Sequence, residues 1–244
     1  MKVGIHRKLL ERCILAIVKK NKCASYMERA ILNVLRQAVG RGGEVSVSTW
    51  DDMFWDDTNH CLFADWREVK TGHENPMMYV CDADSWLLDV YHSWACMLIS
   101  NSGVFFSQKQ NPEATNDNWM FPAFSDMADG GASKKATRIF RSILGEVKGL
   151  LTVHTSHGIR VGATDDMAFN ITTSIVDAIY RGGWDFTGDC TMFTYMTKNL
   201  HNLRGGKALA GWRDCAQDVS APSCDSFITK VRNDVLCFEL LIYL

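Results

Sequence analysis

The stretch HGIRVGATDDMAFNITTSIVDAIYRGGW, His157 to Trp184, decides the reading of this chain. Met167, Ile171, Ile175 and Ile179 recur every four residues, which predicts one helix from about Arg160 to Tyr180 with those four on its inner side. Helical spacing sets His157 and Arg160 one turn apart, so both side chains can reach the same spot. An arginine fork suits a phosphate, which it holds through two parallel hydrogen bonds. A histidine beside it can donate to the same group or move a proton. After the glycine pair Gly182-Gly183 comes Trp184, whose indole N–H can donate to an oxygen. Tyr195 follows, and its phenol can attack phosphorus and form a covalent intermediate.

Upstream, Arg7 to Lys20 reads as a helix with Leu9, Leu10, Cys13, Ile14, Ile17 and Val18 apolar. Ser25 can cap a second helix, with Ile31, Val34, Leu35 and Ala38 on one face. Gly40, Gly42 and Gly43 end it, and the sequence Arg41-Gly-Gly-Glu44 sits at that break. Val45 to Trp55 is β-branched and then acidic, with Asp51, Asp52, Asp56 and Asp57. Cys61 to Lys70 and Pro76 to Cys81 flank turn chemistry at 71–75, which predicts a β-hairpin with Lys70 at its bend. Asp84 or Ser85 can cap a helix to about Ser100, turning Trp86, Val90, Trp94, Met97 and Leu98 inward. Residues 108–132 read as a long loop. Ser133 can cap a basic amphipathic helix to about Lys148, with Ile139, Ile143 and Val147 on one face. The pattern is mainly α with a small antiparallel β-sheet, an α+β class.

Length and composition narrow the classes further. The chain has 244 residues, of which 47% are hydrophobic and 22% charged, enough for a substantial core. With 26 Lys+Arg against 28 Asp+Glu the formal charge is −2, so charge alone announces no nucleic-acid partner. The nine cysteines form neither a CxxC pair nor a zinc spacing, which fits reduced intracellular thiols. His154, three residues before His157, lacks a third ligand at fitting spacing and reads as structural. No run approaches the ~20 apolar residues of a membrane helix, and no signal h-region opens the chain. A protein without a membrane partner is expected, in the nucleus of a eukaryote or in the cytoplasm otherwise.

The sequence elements His157-x-x-Arg160, Gly182-Gly183-Trp184 and Tyr195-Met-x-Lys198-Asn-Leu200 closely resemble the signature of the tyrosine recombinases, or phage-type integrases, most of all the Cre-like branch. Arg41-x-x-Glu44 matches that family's first box. The resemblance spans roughly Ile31 to Leu200 and implies a tyrosine-recombinase catalytic domain over residues 1–205. A tail over 206–244 would dock on a neighbouring protomer. Only forty residues precede Arg41, so the family's N-terminal DNA-clamping domain is expected to be absent.

The roles implied are these. Arg41 and Arg160 bind the scissile phosphate, and Glu44 stands behind them to orient the site. Lys70 is the general acid, with Arg67 a poorer alternative, and His157 and Trp184 add hydrogen bonds. Tyr195 is the nucleophile, with Tyr180 and Tyr91 as rivals. Strands are broken and rejoined through a 3′-phosphotyrosine, with no metal, ATP or other cofactor required. The partners implied are double-stranded DNA and further copies of the chain, as a tetramer on DNA. Arg138, Arg141, Lys198 and Arg204, together with Lys207 and Arg213, would supply a basic face, and the acidic stretch Asp51–Asp57 should face away from DNA. An inactive DNA-binding relic of a mobile element and a type IB topoisomerase-like relaxing enzyme are the alternatives.

Overall fold

A computed structural model describes residues 3–66, 75–101, 119–121, 131–184 and 198–216. It is mainly helical with one small antiparallel sheet, as the sequence predicts. In chain order the elements are α1 (Arg7–Val18), α2 (Cys23–Gln37), α3 (Gly42–Ser46), β1 (Met53–Asp56), β2 (Cys61–Trp66), β3 (Asn75–Tyr79), α4 (Val90–Ser100), α5 (Gly131–Ser142), α6 (Ser156–Ala168), α7 (Ile175–Arg181) and α8 (Lys198–Leu209).

Helix α2 is the axis of the fold. It is buried on all sides, not along one stripe: Ala30, Ile31, Leu32, Val34 and Leu35 join the main core, and Arg29, Asn33, Arg36 and Gln37 are buried among them. Buried polar groups need partners, and these pin α2 to its neighbours. Asn33 Nδ2 donates to Leu87 O at 2.9 Å, and Gln37 exchanges hydrogen bonds with the Val80 backbone at 2.7 and 3.3 Å. Arg29 donates to the carbonyls of Leu87 and Trp86 and lies over the Trp86 ring.

The expected hairpin is present, with β1 added as a third strand in the order β1-β2-β3. Phe54 pairs with Phe63, and Leu62 with Tyr79. The hairpin bend, with Arg67 and Lys70, lies outside the described residues. Strand β1 falls within the acidic stretch, because Asp56 accepts from Thr58 N and Asn59 N and so folds the β1–β2 turn locally.

Several helix boundaries differ from the sequence expectation: α2 starts at Cys23 and α5 at Gly131, so neither Ser25 nor Ser133 is an N-cap, and the helices α3 and α8 fall where none was expected. Helix α4 starts at Val90, since Asp89 accepts from His92 N at 2.9 Å. Asp82 holds the preceding turn through the N–H groups of Asp84 and Ser85, so neither of those two caps the helix. Helix α5 ends at Ser142 and gives way to turns, with Gly149 at φ +90°.

The single helix expected over 160–180 is two. Asn170 Oδ1 accepts from Thr172 N at 2.9 Å, which turns the chain, and Ser174 with Asp177 forms a capping box that starts α7 anew. The break throws Ile171 and Ile175 outward, 97% and 65% exposed, although they share the period of the buried Met167.

His92, partly buried, lies beside Arg29, whose Nη2 donates to His92 Nδ1 at 2.8 Å. Burial first, and the arginine's charge second, push its pKa down to about 2. A histidine held neutral in the fold binds its proton only on unfolding. Its contribution is therefore present above the unfolded pKa of about 6.5 and is lost as pH falls toward 2. Urea unfolding is expected to lose about 1.4 kcal/mol of stability per pH unit below about 6.5 from this group. A His92→Gln protein should lack that component of the slope; equal slopes in the two proteins would exclude it.

Candidate anion-binding site

The site forms where the C-terminal end of α2, the start of α3 and the helices α5, α6 and α7 meet. Arg41 is the N-cap of α3, in extended backbone. Glu44, one turn on, accepts the Arg41 N–H at 2.7 Å and pairs with Arg41 Nη1 at 2.7 Å. The Arg-x-x-Glu spacing thus has a local cause: the acid that starts the helix also holds the guanidinium. Gly42 is packed so closely that a Cβ there would lie 2.4 Å from Ser133 Cβ. The Ser133 hydroxyl is 2.5 Å from that of Ser156. Through these contacts the first turns of α5 and α6, the positive ends of their helix dipoles, abut the segment bearing Arg41. His157 is the second residue of α6 and is exposed.

Arg160 lies one turn further along α6 and is buried. Its Nη1 donates to Val39 O at 2.7 Å and its Nη2 to Gly182 O at 2.5 Å. Of the five N–H bonds of a guanidinium, these fix the fork and leave others for a ligand. Trp184 covers the group, with the Arg160 Cζ 4.9 Å from its ring centroid. Gly182 permits this fold-back, since a Cβ there would stand 2.4 Å from the Trp184 ring. Burial, and then the positive charge of Arg41, lower the Arg160 pKa to about 10, with Glu44 opposing. Arg160 stays charged near neutrality, and the charges of Arg41 and Glu44 act directly upon it. The structure therefore brings together Arg41, Glu44, Arg160 and Trp184, with His157 on the same helix. Trp184 acts here through its ring face, a cation–π contact.

The other expected residues fare as follows. Tyr195, Lys70 and the side chain of Lys198 lie outside the described residues. Of the rival tyrosines, Tyr91 is a structural brace: its hydroxyl donates to Tyr79 O at 2.5 Å and accepts from Leu62 N at 2.8 Å. Tyr180 stacks on His201. His154 is structural as expected, its Nδ1 accepting from Leu151 N at 2.8 Å. Arg138, Arg141 and Arg213 are exposed. Arg204 donates to Thr172 O at 2.6 Å and lies near Asp177, and Lys207 is buried, so the expected basic face loses Lys207. Among the described residues no group of three or more His, Cys, Asp or Glu side chains is placed to hold a metal ion. None of the described helices is long and apolar enough to cross a membrane.

Sequence reasoning passed over Arg181, next to Gly182. It is fully buried and donates to Gln37 O at 2.7 Å, Met78 O at 2.7 Å, and Asn202 O and Oδ1 at 3.1 and 2.5 Å. It welds α7 to α2, β3 and α8, and so fixes the carbonyl of Gly182 against Arg160. Asp177 and His201 were passed over as well; they join α7 to α8 at 2.6 Å.

No protein-family model matches the chain, and no curated protein matches it.

Proposed function

We propose that the chain is the catalytic part of a DNA strand transferase of the tyrosine-recombinase kind. One observation carries this reading. Two arginines far apart in sequence are held in one neighbourhood: Arg160 donates to Val39 O, two residues before Arg41, and lies under Trp184, while Glu44 holds Arg41, and the helix bearing Arg160 also carries His157. Glu44 is the carboxylate bonded to Arg41, while Arg160 donates to neutral carbonyls, so a further anion would be favoured beside the pair. The local cations answer the objection raised by a net charge of −2.

In this reading Arg41 and Arg160 grip the non-bridging oxygens of a phosphodiester and offset the charge that grows in the transition state. His157 donates a further hydrogen bond. The Tyr195 oxygen attacks phosphorus, losing its proton, and the bond from phosphorus to the 5′ oxygen breaks. Lys70 protonates the departing 5′ oxygen. The phosphotyrosine link keeps the bond energy, so rejoining needs no nucleotide. The partners are double-stranded DNA and other copies of the chain, and the exposed Arg138 and Arg141 on α5 suit a phosphate backbone.

A nicked suicide duplex tests the proposal. Wild-type protein is expected to form a covalent adduct that resists denaturant and yields to protease, and Tyr195→Phe is expected to form none. A full chain that binds the duplex yet leaves no adduct overturns the catalytic reading. Joining of two different duplexes, as against relaxation of one supercoiled circle, separates a recombinase from a topoisomerase.

A further inference from the structure

Helices α2 and α6 are tied at two levels. At the site, Arg160 donates to Val39 O, just beyond the end of α2. Six residues further along α6, Asp166 Oδ2 accepts from Arg36 Nη2, in the last turn of α2, at 2.8 Å. Asp166 gathers more than this one partner. Its Oδ2 also takes the Arg7 N–H at 3.0 Å, and its Oδ1 is 2.9 Å from His6 Nδ1. Arg7 in turn forms a two-pronged pair with Asp82, at 2.6 and 2.8 Å.

The same face of α6 carries Gly158 and Gly162, spaced i, i+4, i+8 with Asp166, and the segment before α1 lies directly on it. Ile5 N donates to Gly158 O at 2.7 Å, and a Cβ on Gly162 would lie 2.2 Å from Ile5 O. One face of α6 is thus clamped by residues 3–7 and by α2, and the residues of the anion site project elsewhere.

That arrangement answers a mechanical need. Arg41 follows α2 and Arg160 stands on α6, so the two elements carry like charges, with Glu44 paired to Arg41. Asp166 supplies a countering tie, formed to a buried guanidinium that has no other hydrogen-bond partner among the described residues. We propose that Asp166 is a positioning residue for the arginine pair, holding α6 against α2 and the 3–7 segment so that Arg160 keeps its place beside Arg41 and under Trp184. Its catalytic consequence rests on the strand-transfer reading; its geometric content does not.

The test uses the full chain and reads both. The Nε–Hε signals of the arginines are followed by NMR, with Arg160 assigned from Arg160→Lys and Arg29 from Arg29→Lys. Both guanidinium groups lie over tryptophan rings, Arg160 on Trp184 at 4.9 Å and Arg29 on Trp86 at 5.1 Å, so Arg29 is an internal control. Asp166→Asn is expected to move the Arg160 signal toward its position in Trp184→Leu protein and to leave Arg29 in place. Asp166→Glu keeps the charge on a longer arm, folds if the asparagine variant does not, and is expected to move the same signal. An Arg160 signal that stays put, or a shift of both arginines together, overturns the proposal.

In the suicide-substrate assay the Asp166 variant is expected to lose roughly tenfold to a hundredfold in adduct rate at saturating DNA, with half-saturation unchanged. A fall in DNA affinity with the saturated rate intact counts against positioning. If wild type forms no adduct, the strand-transfer reading falls, and the NMR signals alone decide the role of Asp166.

Discussion

Arg160→Lys is expected to reduce covalent adduct formation at least a hundredfold while the protein stays folded and still binds DNA. The reason is geometric. The guanidinium donates in two directions at once, to Val39 O and to Gly182 O, and stacks on the Trp184 ring. A lysine ammonium is one point of charge and cannot serve both carbonyls, the ring and a phosphate oxygen together. Losing one preorganised donor to a developing oxyanion costs about 10²–10³ in rate. DNA affinity sums over many phosphate contacts, so one substitution that preserves charge should barely alter it. The checks are the adduct rate at saturating DNA and the melting temperature of the same preparation. A rate within a few-fold of wild type, in a protein that melts normally, would make Arg160 a structural residue only.

Arg181→Met is the second large effect, and it should appear in stability. The change removes a buried donor and orphans the carbonyls of Gln37 and Met78, whereas the Asn202 carbonyl lies within α8 and the Asn202 amide oxygen still accepts from Met78 N at 3.0 Å. Replacing a buried polar pair by apolar groups can be neutral when both partners go, but here the two orphaned acceptors, Gln37 O and Met78 O, are backbone and stay. Each unsatisfied acceptor costs about 1–3 kcal/mol, so two of them give an expected loss of about 4 kcal/mol. At the scaling for a chain of this size that lowers the melting temperature by roughly 8–16 °C. Urea unfolding followed by far-UV circular dichroism measures it, and a loss below about 1 kcal/mol would refute the bracing role. The adduct rate should fall as well, because the carbonyl that orients Arg160 belongs to Gly182, the very next residue.

These two arginines show how much of the site was legible in the sequence. His157 and Arg160 stood out because a helix brings i and i+3 together, and Arg41 with Glu44 because a capping acid one turn on can hold an arginine. Both relations are local: the Arg41–Glu44 pair is present in the fold, and His157 and Arg160 stand one turn apart on α6, the first exposed and the second buried. Arg181 carried no such mark. Its partners are mostly main-chain carbonyls, which every residue possesses, so nothing in the pattern of side chains singles it out. Asp166 was hidden for a related reason: its partners His6, Arg7 and Arg36 lie 130 residues or more away in sequence.

The same division runs through the fold. The periodicity of Ile171, Ile175 and Ile179 argued for one continuous helix, but the Asn170 turn and the Ser174–Asp177 capping box broke it. Two cooperating caps outweighed a period that only tertiary burial could have rewarded. By itself the sequence determined the class of the fold, the helices α1 and α2 to within a few residues, the hairpin, and the Arg41–Glu44 pair, because each depends on groups a turn or a strand apart, while α3 and α8 carried no mark the pattern revealed. Only the tertiary structure decided that α2 is buried on every side, that Lys207 turns inward, and that Trp184 lies on Arg160. Those outcomes depend on which distant surfaces meet, and the hydrogen-bond demands of buried polar groups are settled only once they do.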